Sequence, residues 1–160
     1  MLFLLALLAT AIAAANPTAP GPEPLVYWHN WSDARGMTHF AKCSISNWTR
    51  NDFLPNTPAL FTDTLHDPSQ IVLLQLPVGW VGPSHRDPVP QLNVFLSGQG
   101  NWTVADGTSH VFSAGDLYFG EDQLSKTGHF SENIGNVPVM MALMQFGNQK
   151  PTVNQPCWLK

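Results

Sequence analysis

The segment GWVGPSHRDPVPQLNVFLSGQG, residues 79–100, places His85, Asp87 and Gln91 among prolines and apolar residues. These polar groups stand out because only 11% of the residues in the chain are charged. His85 and Asp87 are two positions apart, so on an extended chain their side chains point to the same side. Burial of several polar groups costs roughly a few kcal/mol unless they satisfy one another or a bound molecule. The segment therefore predicts a polar site inside an apolar domain.

The sequence around this segment predicts an all-β fold. From residue 25 onward, short runs of β-branched, aromatic and aliphatic residues alternate with turn signals, and no stretch repeats its apolar residues at helical spacing. Strands of this length and spacing favour a sandwich or a small barrel. Residues 45–70 mix aromatics with Asn, Pro and Asp and predict either a short helix or a long loop. The predicted strands are residues 25–31, 37–44, 71–77, 91–96, 101–105, 108–112, 116–119, 128–132 and 137–146.

The composition divides the chain into three parts. Residues 1–15 are apolar or small and end in alanines, which predicts a secretory signal peptide. Their apolar core is shorter than the ~20 residues that a membrane-spanning helix needs. Residues 16–24 hold four prolines and predict an extended linker. Residues 25–160 predict a single domain. We therefore expect a protein without a membrane span that is secreted or kept in the lumen of the secretory pathway.

The cysteines and the glycosylation sequons agree with export. Cys43 and Cys157 are the only cysteines, and an even count behind a signal peptide predicts a disulfide between them. The alternative is a pair of buried free thiols, which export disfavours. Three Asn-x-Ser/Thr sequons predict glycosylation at Asn30, Asn47 and Asn101.

The charge and the polar pattern restrict the partners. The net charge is -4 and no run of basic residues occurs, so we do not expect a nucleic-acid partner. Gln91, Asn93 and Phe95 alternate along one predicted strand and predict the lining of a cavity, which His29 and His39 also face. Such a lining suits a small, flat organic molecule better than a sugar phosphate, because the chain has no cluster of Arg or Lys. The sequence is also compatible with a homodimer.

The spacing in the opening segment resembles the first motif of the cupin family. That motif is a glycine, five residues, His-x-His, three or four residues, a glutamate, six residues and a glycine. The chain matches it at Gly79, His85 and Gly98. Asp87 stands where the second histidine belongs, and Gln91 stands where the glutamate belongs.

A second stretch resembles the other cupin motif. Gly115, His129 and Asn133 match it, although the stretch before the histidine is longer than usual and lacks the proline of the motif. The resemblance covers roughly residues 70–146. It implies a single-domain, cupin-type jelly-roll barrel with a cavity for a ligand.

The resemblance also implies a metal centre. Metal-binding cupins hold an ion with three histidines and a glutamate at the mouth of the barrel. Carried over, it implies that His85, Asp87 and His129 hold one divalent ion, which could be Fe, Mn or Zn. The neutral Gln91 is a poor ligand and is expected to orient water or substrate.

An acidic pair precedes the second histidine. Glu121 and Asp122 lie in a segment that is otherwise poor in charge, and we expect one of them at the rim of the site. A carboxylate beside His85 or His129 would make a competent acid and base pair without a metal. The alternative for the acidic pair is a solvated loop.

Three functions follow as hypotheses. The first is a secreted cupin enzyme that acts on a small aromatic or polyketide-like molecule by metal-assisted oxidation or isomerisation. The second is a metal-free cupin that catalyses proton transfer or cyclisation. The third is a secreted glycoprotein that binds a ligand without catalysis. The fold does not rank them, because cupins carry many functions.

Overall fold

The computed structural model describes residues 21–52, 55, 59–157 and 159, and every regular element in this part of the chain is a β-strand. The predicted all-β fold is confirmed. The predicted signal peptide, residues 1–15, and most of the predicted linker lie outside the described residues. The described residues include no helix that is long and apolar enough to cross a membrane. The strands are β1 Leu25–Ser32, β2 Thr38–Ile45, β3 Thr49–Asn51, β4 Leu60–Thr62, β5 Gln70–Leu76, β6 Gln91–Ser97, β7 Gln99–Val104, β8 Ser109–Ser113, β9 Leu117–Glu121, β10 His129–Asn133 and β11 Val139–Gln145.

The nine predicted strands all overlap strands of the structure, and the uncertain region between them contains two more. Within residues 45–70, β3 and β4 pair antiparallel, with Thr49 opposite Thr62. Residues 53, 54 and 56–58 lie outside the described residues, and the described part of this region contains a short hairpin. Both strands are exposed and only three residues long, so the alternation that reveals a half-buried strand is missing.

The strands form three sheets. The largest has the order β2-β1-β9-β6-β11-β5, and the β1–β9 pair in it is parallel. The second sheet has the order β10-β7-β8, and β3 pairs with β4 in the third. The two larger sheets face each other across shared apolar side chains, which is the arrangement of a jelly roll. Pairing between the described strands does not run continuously around a closed barrel.

Each face of the six-stranded sheet carries its own apolar cluster. Successive side chains of a strand point to opposite faces, so Tyr118 of β9 lies between the sheets while Phe119 lies on the outer face. The inner cluster is Leu76, Phe95, Trp102, Phe112, Tyr118, Val139, Met141 and Leu143. The outer cluster is Tyr27, Cys43, Ile45, Leu92, Phe119, Phe146 and Leu159. Adjacent residues of one strand therefore have their side chains in different apolar clusters, one between the sheets and one on the outer face.

The hairpin between β7 and β8 forms as predicted around Asp106 and Gly107. Gly107 has a φ of 88°, a conformation that residues with a Cβ rarely adopt. Its N–H donates to the carbonyl oxygen of Val104 at 2.9 Å, which closes the turn. The register of the two strands follows from this turn.

The end of the chain lies against the outer face of the large sheet. Cys157 forms a disulfide with Cys43 of β2, and their Cα atoms are 5.3 Å apart. Val153 forms a parallel bridge with Ser32, and Leu159 joins the outer apolar cluster. We call residues 151–157 the C-terminal strap.

Candidate functional site

A cavity of about 320 Å³ opens between the two larger sheets. It is lined by strands of both sheets and by the loop that connects β5 to β6, which contains the histidine segment. Its apolar lining is Leu74, Leu76, Trp80, Pro88, Trp102, Met141 and Leu143. Its polar lining is Gln75, His85, Asp87, Gln91, Asn93, Tyr118, His129, Ser131 and Gln145. The sequence prediction that the polar residues of the opening segment converge on one cavity agrees with this lining.

Asp87 is buried in the wall of the cavity and is held from two sides. Gln91 Nε2 donates to its Oδ1 at 2.7 Å, and the Tyr118 hydroxyl donates to its Oδ2 at 3.0 Å. Gly120 lies beside it on β9, and a Cβ at Gly120 would overlap Oδ2. The close approach of the carboxylate to the strand therefore requires glycine at this position.

His129 forms a buried pair with Asp122. The pair joins His129 Nδ1 to Asp122 Oδ2 at 2.7 Å, and both side chains are almost fully buried. The backbone N–H of Asp87 donates to Asp122 Oδ1 at 2.8 Å, and Asn30 Nδ2 donates to Asp122 Oδ2 at 3.1 Å. Because the carboxylate accepts the proton on Nδ1, a neutral His129 ring keeps its lone pair on Nε2. His129 lines the cavity, so this nitrogen is the basic atom available to a ligand.

His85 lies beside His129 because their backbones form an antiparallel bridge. Each N–H donates to the other carbonyl oxygen, at 3.0 and 2.8 Å, and the ring centroids are 4.5 Å apart. Gly128 precedes His129 in the sequence, and a Cβ at Gly128 would overlap the His85 carbonyl oxygen. His85 Nδ1 donates to the carbonyl oxygen of Pro83 at 2.8 Å, and His85 is exposed. His85 therefore lies at the entrance to the cavity, outside its buried wall.

Burial and charge change the acidity of the groups in the wall. Burial raises the pKa of the Asp87 carboxyl to about 7, and the charge of Asp122 adds to the rise, against the opposing effects of His129 and of two hydrogen bonds. Burial lowers the pKa of the His129 imidazole, but Asp87 and Asp122 outweigh burial, so this pKa lies above its ordinary value. Burial also raises the pKa of Tyr118 well above 10, so its hydroxyl keeps its proton.

The described residues contain one group of side chains that could hold a metal ion. Donor atoms of Asp87, Asp122 and His129 lie within 4.8 Å of one another. Two carboxylates and an imidazole suit Fe, Mn or Zn. No Lys or Arg lines this cavity within the described residues, so a divalent ion would neutralise the two buried carboxylates. The donor set fits a metal, with Asp122 in the place predicted for His85.

A row of amides continues the polar wall from Asp87. Gln91 donates to Asp87, Gln145 Nε2 donates to Gln91 Oε1 at 2.8 Å, and Gln70 Nε2 donates to Gln145 Oε1. Asn93 Nδ2 donates to the carbonyl oxygen of Tyr118 at 3.2 Å. Gln91 and Asn93 therefore line the cavity as predicted, and both ends of the Gln91 amide are already hydrogen-bonded.

Three of the predicted site residues lie elsewhere, and so does His29, which was predicted to face the cavity but is on the outer face. Glu121 is fully buried on the outer side of β9, where its Oε2 lies 3.1 Å from His29 Nε2, so it is not at the rim. Phe95 is stacked on Phe112 in the inner cluster with ring centroids 4.9 Å apart, and it does not reach the cavity. His39 is on the surface, where its Nδ1 lies 2.7 Å from Asp106. Phe95 is on the predicted face of β6 but is covered by the inner cluster, whereas Glu121 and His39 are on strand faces that the sequence pattern did not resolve.

The three sequons lie in different environments. Asn30 is fully buried, and its Nδ2, the atom that would carry a glycan, donates to Tyr118 and Asp122. Glycosylation at Asn30 is therefore incompatible with this fold. Asn47 is exposed, and Asn101 is partly buried with its Nδ2 donating to Glu132 at 3.0 Å.

Sequence reasoning missed four residues of the site. Tyr118 and Asn30 hold the two carboxylates, Gln145 orients Gln91, and Gly120 makes room for Asp87. The alternation along β9 is the signal that could have found two of them, because Tyr118 and Gly120 point to the same side of one strand.

The two facing sheets, with a polar cluster in the cavity between them, define the class of protein: a double-stranded β-helix, or jelly roll, with an internal site. The model of the cupin domain family matches residues 72–145, which include the predicted motifs. The match spans just under half of the chain and supports a cupin protein. No curated protein matches the sequence.

Two solved structures show similarity to part of this chain. A conserved protein with a double-stranded β-helix domain from Klebsiella pneumoniae subsp. pneumoniae MGH 78578 is 21% identical, and the match covers 55% of this chain and 71% of that chain with a TM-score of 0.41. The cupin domain of Schizosaccharomyces pombe Cnp3 is 10% identical, and the match covers 79% of this chain and 90% of that chain with a TM-score of 0.35.

Proposed function

We propose that this cupin protein is an enzyme that moves protons within a small, neutral organic molecule bound in the cavity. The observation that carries the proposal is the buried His129–Asp122 pair, 2.7 Å apart, in a cavity wall that also holds Asp87. A carboxylate that fixes Nδ1 of a histidine directs the other ring nitrogen to its substrate and stabilises the imidazolium that forms.

The wall groups have complementary roles in this reaction. Nε2 of His129 takes a proton from the substrate, and Asp122 accepts a hydrogen bond from the resulting imidazolium. Asp87, in its protonated form, gives a proton to a second substrate atom, so the net change is an isomerisation or a ring closure without loss of atoms. The Tyr118 hydroxyl, which keeps its own proton, stabilises the Asp87 carboxylate that is left. Return of the proton from His129 to Asp87, directly or through water, restores the enzyme.

The lining of the cavity supports a flat, neutral substrate. Trp80 and Trp102 present aromatic surface, and the amide oxygens of Gln91 and Asn93 each have a second lone pair that can accept a hydrogen bond from a substrate hydroxyl. A volume of about 320 Å³ fits a small ring system. No Lys or Arg among the described residues lines the cavity to bind a carboxylate or phosphate of a substrate. A small aromatic or polyketide-like molecule remains the class that this lining favours.

A second candidate is metal-assisted oxidation or isomerisation. It is favoured by the two buried carboxylates, Asp87 and Asp122, because no Lys or Arg among the described residues lines the cavity to balance their charge. Asp87, Asp122 and His129 would hold the ion, which would supply a Lewis acid or a redox centre. Elemental analysis of freshly purified protein separates this candidate from the first, with Asp87→Asn as the variant and Asp67→Asn, at an exposed carboxylate, as the control. One equivalent of Fe, Mn or Zn that is lost only in Asp87→Asn would favour the metal enzyme.

The experiment for proton transfer uses exchange with solvent. Wild-type protein is incubated in D₂O with a panel of hydroxylated aromatic ketones and lactones, and deuterium incorporation is followed by mass spectrometry. We expect enzyme-dependent incorporation into at least one compound, with its loss in His129→Gln and its retention in the surface variant His39→Gln. Exchange that persists in His129→Gln, or its absence across the panel with wild-type protein, would contradict the proposal. A ligand that binds without exchange would instead indicate the third hypothesis, a binding protein.

We also infer that the mature protein is exported and glycosylated. The Cys43–Cys157 disulfide supports an oxidising compartment, and the exposure of Asn47 supports glycosylation there. Expression in a eukaryotic secretory host, followed by peptide mapping, tests both points. Secreted protein that begins near residue 16 and carries a glycan on Asn47 but none on Asn30 is the expected result. Retention in the cytosol without processing would contradict it.

A further inference from the structure

Most buried polar side chains in the cavity wall are hydrogen-bonded within the chain. Gln91 and Tyr118 donate to the two oxygens of Asp87, and the Gln145 amide is bonded at both ends. Ser131 of β10 differs from them. It lines the cavity and is 4% exposed, yet no hydrogen bond between described residues uses its hydroxyl. A buried hydroxyl without a partner costs free energy, and a molecule bound in the cavity can supply the partner.

The strand holds Ser131 at a fixed distance from the proposed base, His129. The two residues are two positions apart on β10, so their side chains point to the same face, and both line the cavity. Two residues of an extended strand span about 7 Å. Pairing with β7 on one side, and a bond from the Gly82 N–H to the Ser131 carbonyl oxygen on the other, fix this part of β10. A molecule that reaches both side chains therefore needs polar atoms at opposite ends.

Two aromatic rings flank Ser131 and limit the shape of that molecule. The Trp80 ring lies over Gly82, where a Cβ would overlap it, and Gly82 is hydrogen-bonded to the backbone of Ser131. Trp102 lies opposite Ser131 in the register of β7 and β10, and its ring lies over Gly100. Both indoles line the cavity. Ser131 therefore lies between two aromatic surfaces, which suits a flat ring system with an oxygen directed at the serine.

We propose that Ser131 determines the specificity of the site by binding a second oxygen of the substrate, at the end remote from the atom that transfers its proton to His129. A serine hydroxyl both donates and accepts, so this oxygen can belong to a hydroxyl or to a carbonyl. The span of about 7 Å selects a molecule of two fused rings over a single ring. This role rests on the proton transfer proposed above, which places the reacting atom at His129.

The affinities of two ring ketones test the role of Ser131. 1-Tetralone and 6-hydroxy-1-tetralone differ only in a hydroxyl on the aromatic ring, remote from the exchangeable C–H groups. By calorimetry, we expect wild-type protein to bind the hydroxylated ketone roughly 10-fold more tightly, because only this ketone satisfies the serine hydroxyl. Ser131→Ala should bind the two ketones about equally, and Ser131→Thr, which keeps a hydroxyl, should retain most of the preference. Ser44→Ala is the matched control, since Ser44 is exposed on β2 and does not line the cavity.

The same titrations in His129→Gln separate this proposal from the proposed reaction. A preference for the hydroxylated ketone that His129→Gln keeps and Ser131→Ala loses would support the role of Ser131 whether or not any compound exchanges deuterium. Equal affinity of the wild-type protein for the two ketones, binding of neither, or a preference that persists in Ser131→Ala would overturn the proposal. The wild-type comparison needs no variant, so it decides against the proposal even if Ser131→Ala fails to fold.

Discussion

Two histidine–carboxylate pairs are buried on opposite faces of the same sheet. The carboxylates belong to adjacent residues, Glu121 and Asp122, which face different sides at the end of β9. Glu121 Oε2 lies 3.1 Å from His29 Nε2 on the outer face, and Asp122 Oδ2 lies 2.7 Å from His129 Nδ1 on the cavity side. The two pairs have the same chemistry and nearly the same burial, so the difference between them lies in the remaining ring nitrogen.

On the outer face, residues of the C-terminal strap form hydrogen bonds with the other ring nitrogen of His29 and with the Glu121 carboxylate. The Cys157 N–H donates to His29 Nδ1 at 3.0 Å, and the Thr152 N–H and hydroxyl donate to Glu121 at 2.7 and 2.9 Å. On the cavity side, no hydrogen bond between described residues uses Nε2 of His129. A histidine–carboxylate pair therefore stabilises the fold when the chain satisfies every atom, and becomes a candidate for chemistry when one atom faces a cavity.

The largest expected effect is on activity at the cavity pair. Asp122→Asn removes the carboxylate that fixes Nδ1 of His129, so we expect solvent exchange of a substrate to fall by about 10²- to 10⁴-fold. Far-ultraviolet circular dichroism should show an unchanged strand content. Glu121→Gln is the matched control in the outer pair, and its folded fraction should keep most of the exchange activity. Equal losses of activity in the two variants would contradict the division of roles.

Reduction of the disulfide should affect the outer pair first. The Cys43–Cys157 bond closes a long loop with a sequence separation of 114, and removing it should lower the free energy of unfolding by ~4 kcal/mol. Thiol titration of the denatured, unreduced protein should find no free thiol. After reduction, amide exchange at Cys157 and Thr152 should speed up while that at His129 stays slow. Two titratable thiols before reduction would refute the bond.

Glu121→Gln should reduce stability more than activity. Gln replaces one carboxylate oxygen by an NH₂ group, which cannot accept the hydrogen bonds of His29 or Thr152, and a buried donor left without an acceptor costs up to about 3 kcal/mol. Urea unfolding measures the cost, with Asp67→Asn at an exposed position as a control that should change stability by less than about 0.5 kcal/mol. A Glu121→Gln protein as stable as the control would show that the outer pair is dispensable.

The smallest effect is a dependence of stability on pH that comes from the cavity side. The folded-state pKa of Asp87 is about 7, above its ordinary 3.8, so between these values the folded state binds more protons than the unfolded state. The raised pKa of His129 acts in the same direction, because its stabilisation is lost as the pH rises through the folded-state value. The free energy of unfolding should therefore fall by ~2 kcal/mol from pH 5 to pH 8. Asp87→Asn should flatten this dependence, and a wild-type protein that gains stability over this range would disprove the assignment.

The fold and part of the site could be predicted from the sequence, for local reasons. Alternation and turn residues identify the long strands, and the fixed spacing of His85, Asp87 and Gln91 brings three polar groups to one cavity. The choice between Glu121 and Asp122 could not be made in this way, because it depends on how β9 ends against β1 and β6. The burial of Asn30 likewise depends on the parallel pairing of β1 with β9, which joins strands far apart in the sequence.

Chemical modification of the two paired histidines tests the central claim most directly. Native protein is treated with diethyl pyrocarbonate at mildly alkaline pH, and the modified sites are mapped and timed by mass spectrometry. We predict that His129 reacts in the folded protein through its cavity-facing Nε2, whereas His29 reacts only after the protein unfolds. Equal rates for the two histidines, or a His129 that is as unreactive as His29, would contradict the account that one pair faces a cavity for chemistry and the other is closed by the C-terminal strap.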